Sequence, residues 1–249
     1  MTIFSLATKI FLREFRSGQL LLMFLSLSLA VGIVASITFF TDRLDGSLMM
    51  ESKQFLGGDL KYESDTPFDE SSFPIGDYSY ASIYEFGSVL GSSKKFQLAS
   101  VKSVSPPYPL IGEFEILKKY DQKVLETNPP KSGNVWLDTR LANLLEVTID
   151  DTINIGEKDF SISGIILAES DRGAGSFAFA PKAIMNSSDL EKANVIQPGS
   201  RVRYSYVFDG SQEAIKLLEN FFQSKKKPGD EITTPGNETS PLGRAIKRA

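Results

Sequence analysis

From Leu20 to Phe40 the chain carries 21 consecutive residues without a charge or a proline. Wound as a helix, that run is roughly 32 Å long, close to the ~30 Å hydrocarbon core of a bilayer. The pattern predicts a transmembrane helix over 20–40. A short basic segment precedes it, and a polar region of about 200 residues follows. A cleaved signal peptide is the competing reading. Its apolar stretch is ~7–15 residues with a small-residue cleavage site behind it. Here the run is longer, the 19-residue lead is long, and no Ala-x-Ala follows.

On either side the apolar spacing stays helical. Ile3, Phe4, Ala7, Ile10, Phe11 and Phe15 recur at helical intervals in segment 1–19, with Lys9, Arg13 and Arg16 on other faces. This fits an amphipathic helix on the inner membrane surface or against a partner, and equally a continuation of the span. Beyond the span, Leu44, Leu48 and Phe55 extend an apolar stripe at spacings of four and seven, so a stalk is expected over 41–57, stopped by Gly57-Gly58. Inside the span, Ser28, Gly32 and Ser36 sit four apart, a small-residue face on which a second helix can pack closely. Such residues are also common in membrane helices for no such reason.

Residues 58–242 alternate short strand and helix patterns. Strands are expected over 59–63, 78–90, 96–104, 134–137, 177–180 and 202–208. Asp138 is placed to cap a short helix through Leu145, with Leu141, Leu144 and Leu145 inward. Segments 152–155 and 160–167 alternate around Gly156-Glu157 as a hairpin. Residues 212–222 set Ala214, Leu217, Leu218 and Phe221 at helical spacing. The expected fold class is α+β: one N-terminal transmembrane helix with its stalk, then a domain of two parts. One part is mixed α/β, built from the early strands and the late helix. The other is β-rich, roughly 134–180.

Charge gives the span a direction. Lys9, Arg13 and Arg16 precede it, whereas Arg43 and Lys53 follow it mixed with Asp42, Asp45 and Glu51. The positive-inside rule places the N-terminus in the cytoplasm and the large domain outside. Composition removes several chemistries. No cysteine means no disulfides or thiol catalysis, and no histidine means no Ser-His-Asp triad and no usual zinc ligand. The net charge of −4 leaves no basic face for nucleic acid.

The remaining candidates are weak. Asp171-Arg172-Gly173-Ala174-Gly175 could form an anion-binding nest, but it lacks nucleotide-loop spacing, and a structural turn explains it better. Asp150-Asp151 reads as a turn former, and Trp136, Tyr204 and Tyr206 read as packing. No catalytic, cofactor-binding or metal residue is expected.

Several stretches together carry a family resemblance. They are Arg13 to Gly18, Phe39 to Leu44, Gly57-Gly58-Asp59-Leu60, Tyr108 to Glu113, Val135 to Leu141, Asp151 to Gly156, Asp171-Arg172-Gly173 and Gln197 to Tyr204. Taken together, the chain resembles the N-terminal part of bacterial ABC-transporter permeases of the FtsX-, MacB- and LolC-like class, and more narrowly the YbbP-type permeases. The resemblance implies a first membrane helix leading through a stalk into a periplasmic core domain, followed by further spans. Residues 243–249 look like the approach to a second span, so the chain is expected to be a piece of a longer permease.

It also implies a non-catalytic permease subunit in the bacterial inner membrane. A cytoplasmic ABC ATPase would drive it, and its periplasmic domain would move lipid-like, lipoprotein or other hydrophobic substrates. The lipid bilayer is a partner on this reading, and a periplasmic esterase or other envelope protein is an open one. The rival is a single-pass anchored periplasmic adapter or regulator of an envelope enzyme. A membrane-anchored hydrolase has only a Ser-Lys dyad open to it, and no motif suggests one.

Overall fold

The computed structural model describes residues 13, 18–170, 180–197 and 199–235. Apart from Arg13, the expected amphipathic segment before Gly18 lies outside these residues. So do Asp171 to Gly175, residues 177–179 and the segment 243–249.

Helix α1 runs unbroken over Gln19–Leu56, 38 residues. Its apolar side chains from Leu21 to Phe40 are exposed all round, which is stable only in an apolar solvent. Its hydroxyls bond back to the helix itself: Ser26 to the Met23 carbonyl, Thr38 to Val34 and Thr41 to Ile37. Hydrocarbon offers no water, so such internal satisfaction is what a spanning helix needs. It is one helix long and apolar enough to cross a membrane.

Residues 51–235 hold a mixed α/β domain, as the hydrophobic pattern predicts. Its strands are β1 (Leu60–Ser64), β2 (Tyr78–Gly91), β3 (Phe96–Val104), β4 (Phe114–Lys118), β5 (Gln122–Glu126), β6 (Asn134–Asp138), β7 (Thr152–Ile155), β8 (Lys158–Glu169), β9 (Lys182–Asn186), β10 (Val202–Gly210) and β11 (Glu231–Thr233). Helices α2 (Thr139–Leu145), α3 (Leu190–Ala193) and α4 (Gln212–Lys225) pack among them. The strands form one hydrogen-bonded network in the order β11-β1-β10-β2-β3-β9-β6-β8-β4-β5, with β7 joining β2 and β8. Among the described strands, only the β3–β9 and β6–β8 pairs are parallel.

The buried apolar residues form three cores, two of which draw on strands of both expected parts. Leu60, Tyr62, Tyr206 and Phe208 of the early and late strands bury against Leu218 and Phe222 of α4. Tyr62 stacks on Phe222 with ring centroids 4.3 Å apart and donates to Asp230 at 2.7 Å. A second core surrounds α2, where Leu141 and Leu145 meet Val135, Ile153, Phe160 and Ile162. A third holds Tyr108, Phe114, Ile116 and Trp136. Through β3 and β9 the two expected parts share hydrogen bonds.

Local details both match and depart from expectation. Asp138 does cap α2, accepting from the Leu141 amide at 2.6 Å. The β7–β8 hairpin turns at Gly156 with φ +63°, and a Cβ there would lie 2.1 Å from the Ala193 carbonyl oxygen. Leu144, expected inward, is 39% exposed, because a seven-residue helix lying on a sheet buries only one narrow stripe. In α4, Leu217 is exposed and Phe221 half-buried, and Phe222 takes the inward position beside Ala214 and Leu218. Ala180 is not in a strand; the pairing strand is β9, two residues further on. Strands β4 and β5 were not expected from the pattern.

Candidate functional site

At the end of α1 a helix stop, an ion pair and a buried polar chain come together. Gly57 adopts φ +78°, which a side chain disfavours. Its amide donates to the Gln54 carbonyl at 3.2 Å, and the Gly58 amide donates to Lys53 at 3.1 Å. Together these close a Schellman motif at the expected stop. Gly58 then passes so close to β10 that a Cβ would lie 2.7 Å from the Phe208 carbonyl oxygen. The two glycines therefore do different things: one turns the chain, the other admits it to the sheet.

Three segments distant in sequence converge here. Lys53, on the last turn of α1, pairs with Asp59 at 2.6 Å. Asp59 in turn shares a hydrogen bond with Asp209 at the end of β10. Burial, and after it the bond to Asp59 and that group's charge, push the Asp209 carboxyl above the ordinary aspartate range. Burial would raise Asp59 as well, but its hydrogen bonds to Lys53 and Asp209 outweigh it and hold Asp59 below that range. As pH falls, Asp209 therefore takes up its proton before Asp59 does.

The loop between β3 and β4 forms the other side. Its Ile111 amide donates to the Gly57 carbonyl at 3.1 Å, and a Cβ at Gly57 would lie 3.7 Å from the Tyr108 ring. Gly112, at φ +101°, faces Ser170, whose hydroxyl both accepts from the Glu113 amide and donates to the Glu113 carbonyl. Tyr108 is fully buried, and its hydroxyl accepts from Lys102 Nζ at 2.7 Å. Lys102, itself 1% exposed, also pairs with Glu169 Oε1, and Lys182 binds Glu169 Oε2 at 2.8 Å. The Lys182 amide donates to Asp138, the cap of α2. A continuous chain of contacts therefore runs from the end of α1 through Tyr108, Lys102, Glu169 and Lys182 to the α2 cap. Buried ions held this way are costly to separate.

The residues singled out for the span lie elsewhere. Ser28, Gly32 and Ser36 are exposed, and Gly32 has nothing within 4 Å of a notional Cβ. Of the stalk positions, Leu44 is exposed, and Leu48 and Phe55 are half-buried. Ser52 and Leu56, not singled out, are the buried residues of the last turns. Asp150 and Asp151 do form a turn: Asp150 has φ +75° and Asp151 accepts from Thr148 at 2.6 Å. Trp136 is core, packed edge-on against Phe114 at 5.4 Å. Composition alone missed Lys102, Tyr108, Glu169 and Asp209. One signal was present: Gly57 to Leu60 and Tyr108 to Glu113, two of the stretches carrying the family resemblance, are the segments that meet here. Among the described residues no group of three or more Asp or Glu side chains is arranged to hold a metal ion.

No protein-family model matches the chain. Over 246 residues it is 31% identical to the uncharacterized ABC transporter permease YbbP of Escherichia coli strain K12, an alignment covering 96% of the chain. The similarity runs along nearly the whole length of the chain. It spans 29% of YbbP itself. In fold, the YbbP-like chain matches the crystal structure of the periplasmic region of MacB from Actinobacillus actinomycetemcomitans with a TM-score of 0.50. That match covers 81% of this chain and 98% of the MacB region at 12% identity, a likeness of fold alone. The extracellular domain of the ABC-type transporter YknZ aligns with a TM-score of 0.43 over 71% of the chain. The YbbP-like chain thus joins an apolar helix of spanning length to a domain with the fold of a MacB periplasmic region.

Proposed function

We propose that this YbbP-like chain is the part of an ABC-transporter permease that couples a membrane helix to a periplasmic domain. ATP hydrolysis belongs to a separate cytoplasmic ATPase chain. Movement of α1 is delivered to the domain at Gly57, Tyr108 and Lys53, and the domain in turn acts on lipid-like, lipoprotein or other hydrophobic substrates. The basic residues Lys9, Arg13 and Arg16 before the span support a cytoplasmic N-terminus. The observation that carries the reading is the 31% identity to YbbP over 96% of the chain, joined to a helix that runs from the apolar span to the built network at its end without a break.

The test is a break in that helix. Leu48→Pro removes a backbone donor and clashes with the preceding turn, at about 3 kcal/mol. In the full-length permease reconstituted with its ATPase, membrane insertion should persist while substrate-stimulated ATPase activity falls about tenfold or more, as expected when a coupling step of this size is lost. Unchanged stimulation would reduce α1 to a tether and favour the anchored-adapter reading.

A further inference from the structure

A cleft of about 530 Å³ opens beside the short turn Glu70–Ser72, well inside the size range of small-ligand sites. Alternation along β2 puts Tyr78, Tyr80, Ser82 and Tyr84 on one face of the strand, and that face is the cleft wall. Glu70 reaches across to it. Its Oε1 accepts from Ser82 Oγ at 2.7 Å and from Tyr84 Oη at 3.2 Å, and its Oε2 accepts from Tyr80 Oη at 3.1 Å. Tyr78 gives its hydroxyl proton to the Pro74 carbonyl at 2.5 Å.

A hydroxyl has one hydrogen to donate and two lone pairs to accept with. All four of these hydroxyls have spent their hydrogen inside the protein. Toward the cleft they present lone pairs only, around a carboxylate that has no ion-pair partner among the described residues. Burial, and after it the charge of Glu70, push the Tyr84 phenol well above its ordinary range, as expected where negative charge faces it without a cation. Ser79, Ser105 and Ser187, with hydroxyls of their own, also line the cleft, and the cluster of acceptors around a carboxylate without an ion pair among the described residues suits a positive group carrying several N–H donors. A quaternary ammonium has the charge but no donors, so the wall selects against it.

We propose that this cleft binds a primary ammonium group, with its charge against Glu70 and its N–H bonds directed at the tyrosine and serine oxygens. The group can come from a free amine or from the head group of an aminophospholipid. The experiment uses the full chain in nanodiscs of phosphatidylcholine, titrated calorimetrically with ethanolamine and, separately, with tetramethylammonium. Ethanolamine should bind saturably and tetramethylammonium should not. Glu70→Gln keeps the side-chain size and an acceptor oxygen but removes the charge, and should weaken ethanolamine binding about tenfold or more. Tyr84→Phe, which leaves the charge in place and removes one acceptor, should weaken it several-fold and covers the case in which the Glu70 variant melts early. In discs containing phosphatidylethanolamine, weaker apparent ethanolamine binding assigns the site to the lipid head group, and unchanged binding assigns it to free amines. No saturable heat with ethanolamine overturns the proposal. So does equal binding of tetramethylammonium, or binding that a folded Glu70→Gln protein retains in full.

Discussion

At the scale of single residues, the informative positions are charged groups placed where charge is expensive. Asp59 and Asp209 share one hydrogen bond but have opposite fates, because only Asp59 faces Lys53 at 2.6 Å. Their neutral analogues should therefore diverge. Asp59→Asn strips the lysine of its partner and should lower stability by about 1–2 kcal/mol. Asp209→Asn removes like-charge repulsion and should leave stability at neutral pH unchanged or higher. The pH dependence has a defined sign. The folded state holds the Asp209 proton more tightly than the unfolded chain does, so stability falls as pH rises from the ordinary 3.8 through the raised folded value. Asp59, held below 3.8, contributes stability that is present above that pH and is lost as pH falls through its lowered value. Thermal melts from pH 3 to 8 should show the first slope in the parent and not in Asp209→Asn. An identical profile in the two proteins would mean the carboxylates do not share a proton.

At the scale of elements, helix α1 serves two solvents. From Leu21 to Phe40 it is apolar on every side, and only in its last turns do Ser52 and Leu56 bury within the domain. A helix apolar all round has no preferred face unless small residues create one. The expectation from the sequence is that Ser28, Gly32 and Ser36 do so. Gly32→Leu should block close approach without shortening the apolar run, so insertion should be normal. Crosslinking between cysteines introduced at Ser28 in two copies, or at Ser28 and another permease helix, should fall about fivefold or more, as expected for a packing face lost in lipid. Equal crosslinking in the variant would mean that the stripe faces lipid.

For the whole molecule, charge sets an expected direction across the membrane. The excess of Lys9, Arg13 and Arg16 over the mixed charges after Phe40 predicts a cytoplasmic N-terminus. Alkaline phosphatase fused after Ala249 should be active, and the same enzyme fused before Leu20 should be inactive. The reverse pattern would place the domain in the cytoplasm and remove the basis for a periplasmic role. Topology also explains why the domain can hold a network at the end of α1. The sheet sets β1 beside β10, with β3 one strand further on across β2, so the segments leading from their ends, far apart in sequence, all reach Gly57 and Asp59.

What the amino-acid sequence determined by itself is whatever depends on neighbours within about one turn or one hairpin. The span, the Gly57 stop, the Asp138 cap and the Gly156 turn were all legible, because a cap or a left-handed turn is satisfied by residues at most five positions away. Most strands were legible through alternation. Strands β4 and β5 were not, because Phe114–Lys118 and Gln122–Glu126 are short and half-exposed. Phe222 was not among the α4 residues picked out by helical spacing, since a helix face is chosen by what it packs against and Phe222 has Tyr62 to stack on. The sites needed the tertiary structure altogether. Lys102 is an ordinary lysine in a strand until Glu169, 67 residues on, comes to meet it. Glu70 is a turn residue until β2 lays three hydroxyls against it. A buried charge is worth what surrounds it, and for both residues most of what surrounds it lies beyond the range of any local pattern.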